Sequence, residues 1–245
     1  MEIVPGVHLV EGVRGGNVYL LADETLTLID TGLPRNGRRI LTYIAGIGRD
    51  PQELKRIILT HSHPDHAGSA AELWGLTGAE VLAHPAEVEV TRHGQTVIRP
   101  RVRAHRTWLR RFFARSPAAV GHLVSDGEVI PCLGGLRVIH TPGHSPGSIC
   151  LYLEKAQVLF SGDLIINHEG RLSRPLPHPD GNSNELEKSL QRLAQLEVEV
   201  CCFAHGTPLV GSAGDRIKEF AAHPPSGPLW WRLLKYLSRR LRGSR

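Results

Sequence analysis

Short apolar runs alternate with segments of helical periodicity along most of the chain. In the first half the pattern predicts strands at 17–21 and 26–29, a helix at 36–46, a strand at 56–59, a helix at 67–76 and a strand at 80–83. The alternation of single strands with amphipathic helices is typical of an α/β domain.

The second half repeats this order. Its predicted elements are strands at 136–139, 149–153 and 158–160, a helix at 186–196 and a strand at 198–204. Asp30-Thr31-Gly32 ends a strand in the first half, and Ser161-Gly162-Asp163 ends the corresponding strand in the second. We therefore expect two similar halves whose loops meet at one edge.

Two segments stand outside this pattern, so we predict a catalytic domain over 1–225 with an insertion at 85–120, and a separate C-terminal helix over 226–245. Within the insertion, 102–115 has helical spacing, with Trp108 and Phe112 on one face and Arg106 beside it. This helical insertion is expected to cap a pocket and bind substrate, or else to pack on the domain with its arginines exposed. The C-terminal segment is predicted to be a basic amphipathic helix, which suits docking on its own domain, a homodimer contact or peripheral membrane contact.

Composition places few limits on function. The chain has 245 residues, with 41% hydrophobic and 22% charged residues and a formal net charge of +5, which is ordinary for a globular protein. The N-terminus lacks the charged and apolar regions of a signal peptide, so a cytoplasmic protein is expected. No nucleic-acid-binding module is recognisable, and a specific nucleic-acid partner is therefore not predicted.

The residues most informative about chemistry lie directly after the strand at 56–59. His61, His63, Asp65 and His66 place three imidazoles and one carboxylate within six residues. Such a set suits zinc, iron, manganese or nickel, and a loop that follows a strand presents it rigidly. His61 and His63 can converge on one ion, while Asp65 and His66, at the start of a helix, can point to another.

The runs THSHPDHAGS, TPGHSPGS, FSGDL and FAHG, in this order, resemble the metallo-β-lactamase superfamily. The resemblance spans roughly residues 2–212 and implies an αβ/βα four-layer sandwich. It further implies that His61, His63 and His144 bind a first metal, that Asp65, His66 and His205 bind a second, and that Asp163 bridges both. Asp30 matches a position that supports the metal-binding loop from behind the ligands. His168, five residues after Asp163, is a candidate substrate contact at the pocket edge.

These roles predict a hydrolase with two divalent ions per chain, zinc being the expected metal and iron or manganese the alternatives. A hydroxide bridging the ions would attack the substrate, with Asp65 as a catalytic proton acceptor. With its full set of seven ligands and its compact size, the chain most resembles the glyoxalase II-like and lactonase-like hydrolases of this superfamily. That resemblance implies ester, thioester or lactone substrates, small molecules with an acyl or anionic group. Two alternatives stay open: a phosphodiesterase acting on phospholipid or nucleotide, and an iron-dependent oxidoreductase similar to the persulfide dioxygenases.

Overall fold

The computed structural model of the protein describes residues 1–91, 93, 95–98, 117–177 and 179–223. The strands in this part of the chain are β1 (Glu2–Val4), β2 (Val7–Leu9), β3 (Tyr19–Ala22), β4 (Leu26–Ile29), β5 (Leu54–Ile58), β6 (Glu80–Ala83), β7 (Glu89–Val90), β8 (Thr96–Ile98), β9 (Ala118–Ala119), β10 (His122–Leu123), β11 (Val129–Ile130), β12 (Leu136–His140), β13 (Ile149–Leu153), β14 (Val158–Phe160), β15 (Ile166–His168), β16 (Arg171–Ser173), β17 (Val200–Cys202) and β18 (Leu209–Val210). The α-helices are α1 (Gly37–Gly46), α2 (Pro64–Ala67), α3 (Ala70–Thr77), α4 (Ser183–Leu193) and α5 (Ala213–Ala222).

Two mixed sheets carry most of these strands. The first has the order β1-β2-β3-β4-β5-β6-β10 and is parallel from β4 onward. The second has the order β11-β12-β13-β14-β17-β18, with β14 and β17 parallel. Parallel neighbours need a crossover connection, and helices supply it between β4 and β5, between β5 and β6, and between β14 and β17. The carboxyl ends of these parallel strands therefore share an edge of their sheet.

The core is divided into layers by the side-chain alternation of the buried strands. All five residues of β13 are buried. Ile149, Leu151 and Leu153 pack between the two sheets, whereas Cys150 and Tyr152 pack towards α4 and α5. On the other side, the first sheet packs against α1 and α3 through a separate apolar cluster. The layers run helix, sheet, sheet, helix, which confirms the predicted αβ/βα sandwich.

The helix predicted at 67–76 is divided in the structure. A one-turn helix, α2, begins at Pro64, because proline suits the first helical position and the preceding His63 is extended. The chain then crosses Gly68, where a Cβ atom would lie 2.3 Å from the Pro64 carbonyl oxygen, and α3 follows. Asp65 and His66 consequently lie on a separate turn that directly follows His63.

The helix predicted at 186–196 begins three residues earlier than expected. The Asn182 side chain accepts hydrogen bonds from the backbone N–H groups of Asn184 and Glu185, which caps α4 and starts it at Ser183. The neighbouring hairpin of β13 and β14, and strand β6, have the predicted bounds. The periodicity thus located these elements, and the capping side chain shifted one boundary.

The described ends of the 85–120 insertion flank the predicted helix and form other elements. A short 3-10 helix at Pro85–Glu87 leads into the three-stranded antiparallel sheet β7-β8-β9. Residues 99–116, with Arg106, Trp108 and Phe112, lie outside the described residues, as does the segment 226–245. Within the described ranges, no helix combines the length and apolarity needed to cross a membrane.

Candidate metal centre

The predicted ligands lie in loops that follow strands of both sheets. His61 and His63 follow β5, and His144 lies between β12 and β13. Asp163 follows β14, and His205 follows β17. The loops meet, and seven side chains form two adjoining groups of potential metal donors.

The first ligand group consists of His61, His63, His144 and Asp163, with donor atoms within 4.8 Å of one another. His63 Nδ1 lies 2.9 Å from His61 Nε2 and 2.9 Å from His144 Nε2. A zinc ion with bonds of about 2.0–2.1 Å to nitrogen separates neighbouring tetrahedral donors by roughly 3.3 Å. The three imidazoles therefore converge at nearly the spacing that one ion requires.

The second ligand group consists of Asp65, His66 and His205. The Asp65 Oδ2 atom lies 3.3 Å from His205 Nε2 and 3.9 Å from His66 Nε2. The single turn of α2 fixes Asp65 and His66, and the loop after β17 brings His205 to them from the second sheet. This group is more open than the first, since Asp65 and His205 are each partly exposed.

Asp163 connects the two groups through its two carboxylate oxygens. Oδ2 faces the first group and lies 3.2 Å from His144 Nε2 and 4.0 Å from His61 Nε2. Oδ1 faces the second group and lies 3.3 Å from Nε2 of both His66 and His205. The two oxygens of one carboxylate thus face different sets of imidazoles, which is the arrangement expected of a carboxylate shared by two ions.

Unsatisfied polar atoms at the junction fit a cation. Asp163 Oδ1 and His66 Nε2 are buried and have no hydrogen-bond partner among the described residues, and the side chains are 9% and 0% exposed. Buried polar atoms without a partner are rare in folded proteins. A metal ion satisfies imidazole nitrogen and carboxylate oxygen together, and zinc, iron and manganese all accept this donor set.

The charge distribution also favours a cation. Burial, helped by the neighbouring histidines, holds the pKa of His61 well below its ordinary value, so this imidazole is neutral, as a ligand must be. Burial alone would lower the pKa of His66, but the carboxylates of Asp163 and Asp30 outweigh it and raise that pKa well above its ordinary value. The carboxylates thus create a negative field that a bound cation would neutralise.

Asp30 lies behind the second group, as predicted for a supporting residue. Its side chain is 2% exposed, and its Oδ2 atom lies 2.8 Å from His66 Nδ1. It also accepts hydrogen bonds from the Thr60 N–H, at 2.8 Å, and from the Thr60 hydroxyl, at 2.8 Å. The backbone of Asp30 has a positive φ of 59°, a conformation that Asp and Asn adopt more readily than most residues. Asp30 therefore orients His66 and ties it to the loop that carries His61.

Sequence reasoning missed the loop that precedes β3. The Gly16 N–H donates to the Asp65 carbonyl oxygen at 3.0 Å, and a Cβ atom on Gly16 would lie 3.2 Å from His66 Cε1. The Asn17 side-chain amide donates to the carbonyl oxygens of Phe203, at 2.9 Å, and Gly206, at 2.6 Å. This loop thus holds α2 and the His205 loop together. The adjacent Gly-Gly-Asn before the first hairpin was the available signal.

Of the four predicted substrate-binding residues, the structure describes one, His168. His168 is exposed at the end of β15, where the N–H of the preceding Asn167 donates to the His205 carbonyl oxygen at 3.0 Å, so His168 lies near the rim of the centre. Arg106, Trp108 and Phe112 lie outside the described residues. A cleft that sequence reasoning did not predict opens beside His144, and its lining includes Pro175, Leu176, Asn182 and Leu186.

Comparisons with known proteins agree with this geometry. The model of the metallo-beta-lactamase superfamily matches residues 12–205. The chain is 29% identical to the "Probable metallo-hydrolase YflN" of Bacillus subtilis, over 86% of this chain and 87% of that protein. It is 32% identical to the acyl-coenzyme A thioesterase MBLAC2 of Gallus gallus, over 76% of this chain and 69% of that protein. A crystal structure of a metallo-beta-lactamase family protein from Thermus thermophilus aligns with a TM-score of 0.68 and 28% identity, over 90% of this chain and 80% of that one.

Proposed function

Because the chain belongs to the metallo-beta-lactamase superfamily, we propose that it is a two-metal hydrolase of carboxylic ester-type bonds, with thioesters as its preferred substrates. The observation that carries the proposal is the position of the Asp163 carboxylate, whose Oδ2 atom faces the first ligand group and whose Oδ1 atom faces the second. In this proposal His61, His63 and His144 hold one ion, and Asp65, His66 and His205 hold the other. Zinc is the metal that we expect in both positions.

Two divalent ions at this centre would supply a nucleophile derived from water at neutral pH and would polarise the carbonyl group of the substrate. The residues around them divide the remaining work. Asp163 holds the two ligand groups at a fixed distance from each other, and Asp30 orients His66. Burial favours a higher pKa for Asp65, but the hydrogen bond with His205 and the charge of His66 outweigh it and lower the pKa to about 2. Asp65 is therefore ionised at neutral pH, as a metal ligand must be. Because Asp65 lies at the second ligand group, it is also our candidate for relaying a proton.

The preference for thioesters has two supports. One is the likeness to a protein named as an acyl-coenzyme A thioesterase. The other is the cleft beside His144, where Pro175, Leu176 and Leu186 offer apolar surface and Arg174, Asn182 and Glu187 offer polar groups. Small-molecule pockets combine apolar surface with a few polar groups that fix the orientation of the ligand. We propose that the acyl chain of the substrate occupies this cleft.

A substrate panel tests the proposal. The zinc-loaded protein is assayed with acyl-coenzyme A thioesters, lactones, p-nitrophenyl esters, a β-lactam, a phosphodiester and glutathione persulfide. We expect the highest kcat/KM for a thioester, and a loss of at least about a hundredfold for Asp163→Asn. Asp23→Asn is the matched control, because Asp23 lies in the exposed turn between β3 and β4 and accepts a hydrogen bond from the Leu133 N–H at 2.7 Å.

Two results would contradict the proposal. Turnover of the phosphodiester, or of persulfide by an iron-loaded form, with no thioester or ester hydrolysis would assign another reaction to the centre. Full thioesterase activity in Asp163→Asn would show that hydrolysis does not depend on the connection between the two groups.

A further inference from the structure

Glu87 is a buried carboxylate that the proposed reaction does not use. Its residue is 1% exposed and lies at the end of the 3-10 helix Pro85–Glu87, just beyond β6. Burying a carboxylate is costly unless its oxygens are hydrogen-bonded. The partners of Glu87 therefore show what its burial achieves.

Each oxygen of Glu87 binds a different ligand loop. Oε2 accepts hydrogen bonds from the N–H of Ser62, at 2.9 Å, and from the Ser62 hydroxyl. Oε1 accepts hydrogen bonds from the Ser145 hydroxyl, at 2.6 Å, and from the Gly147 N–H, at 2.9 Å. Ser62 lies between His61 and His63, and Ser145 directly follows His144. One side chain thus joins the two loops that carry all three histidines of the first ligand group.

The surroundings of Glu87 are built for this contact. A Cβ atom on Gly147 would lie 2.7 Å from Glu87 Cγ, so this position has room for glycine but not for a larger residue without a shift. The Ser145 and Ser148 hydroxyls lie 2.7 Å apart and extend the network along the His144 loop. The two loops come from different sheets, since His61 and His63 follow β5 and His144 follows β12. Without Glu87, the described contacts would leave their spacing less firmly fixed.

We propose that Glu87 is the positioning residue of the first ligand group, setting the distance between the loop of His61 and His63 and the loop of His144. This role rests on the proposed metal-dependent function, because it concerns how tightly the first group binds its ion. Residues that hold metal ligands in place typically change metal affinity by about ten- to hundredfold when they are replaced.

The substitution Glu87→Gln gives a sharp test, because both oxygens accept a backbone N–H. A glutamine amide has one oxygen and one NH2 group, so in either orientation its NH2 opposes the N–H of Ser62 or that of Gly147. We expect E87Q to bind zinc at the first group about ten- to hundredfold more weakly than wild type. The measurement is a zinc titration of the folded apoprotein against a chromophoric chelator, with the visible spectrum of the Co2+ form as a second readout of ligand geometry.

Glu128→Gln is the matched control. Glu128 is less buried than Glu87 but likewise accepts a hydrogen bond from a backbone N–H, that of Ser125, at 2.9 Å, and its side-chain partners, Ser125 and His122, lie outside both ligand loops. We expect E128Q to bind zinc like the wild type. If E87Q does not fold, Ser145→Ala decides the question, because it removes one hydroxyl donor and leaves both backbone hydrogen bonds to Glu87. S145A should weaken zinc binding several-fold, on the order of tenfold at most.

The outcomes separate this role from a structural one and from failure of the proposed function. A folded E87Q or S145A protein with wild-type zinc affinity and an unchanged Co2+ spectrum overturns the role of Glu87, even if its Tm is lower. Weaker zinc binding with an altered Co2+ spectrum supports it. A wild-type protein that binds neither ion overturns the proposed function, and the role of Glu87 with it.

Discussion

Asp30→Asn isolates the orientation of one imidazole from the stability of the fold. Asn tolerates the positive φ of 59° at this position, so the backbone is preserved. Asp30 Oδ1 accepts the Thr60 N–H at 2.8 Å, which requires an oxygen. The amide nitrogen of Asn must therefore replace Oδ2, which lies 2.8 Å from His66 Nδ1.

The substitution should reverse the tautomer of His66. In the wild type, a carboxylate can only accept, so Nδ1 donates to Asp30, and the imidazole binds a metal ion by giving up its other proton, at Nε2. In D30N the amide donates to Nδ1, and the proton of a neutral imidazole moves to Nε2, where it blocks metal binding. A hydrogen bond to a charged group contributes about 1.5–3 kcal/mol, which corresponds to roughly a ten- to hundredfold loss of affinity.

Zinc titration of D30N, monitored for both binding steps, measures this loss. We expect weaker binding at the second group and a Tm for the apoprotein close to that of Asp23→Asn, the exposed-turn control. Asp30→Ala should differ, because it removes three hydrogen bonds and places Ala at a φ that costs about 1–2 kcal/mol. Wild-type affinity at both steps in D30N would refute the tautomer reasoning.

Three further predictions concern stability. Gly143→Ala should lower both Tm and zinc affinity, because φ is 137° at this residue and the new Cβ would lie 2.3 Å from the Leu186 backbone, beside His144; unchanged zinc binding would contradict this. Asn182→Ala should cost about 1 kcal/mol in urea unfolding with metal content unaffected, since it removes the cap of α4; loss of metal would contradict a purely capping role. Chelation should lower Tm, because zinc at a thousandfold excess over its Kd stabilises the folded state by about 4 kcal/mol; a Tm independent of zinc concentration would contradict metal binding in the folded state.

The candidate ligands could be proposed from the sequence because four of the seven are local. His61, His63, Asp65 and His66 fall within six residues, and the short motifs around His144, Asp163 and His205 each follow or precede a strand that periodicity located. The layered fold was predictable for the same reason, since strand and helix periodicities differ. The grouping of distant ligands came from the resemblance to a known superfamily, and the distances in the structure agree with it.

The residues that support the ligand loops were harder to predict from the sequence. Glu87 lies in a run, Pro85 to Val90, that resembles an exposed segment, and its partners are 25 and 58 residues away. No local pattern distinguishes such a glutamate from a surface one. The helix break at Gly68 was missed because the Gly68 N–H donates to the carbonyl oxygen of Gly32, in a distant loop, at 3.0 Å. Long-range contacts of this kind become visible only when the sheets are assembled.

The metal-to-protein ratio of the purified chain tests the two-metal proposal most directly. Elemental analysis after reconstitution with zinc and removal of excess ion should give two ions per wild-type chain. It should give about one or fewer for Asp163→Asn, because this substitution replaces the shared carboxylate with a neutral amide. A ratio of one or none in the wild type, or an undiminished ratio in Asp163→Asn, would contradict a centre in which Asp163 connects two ions.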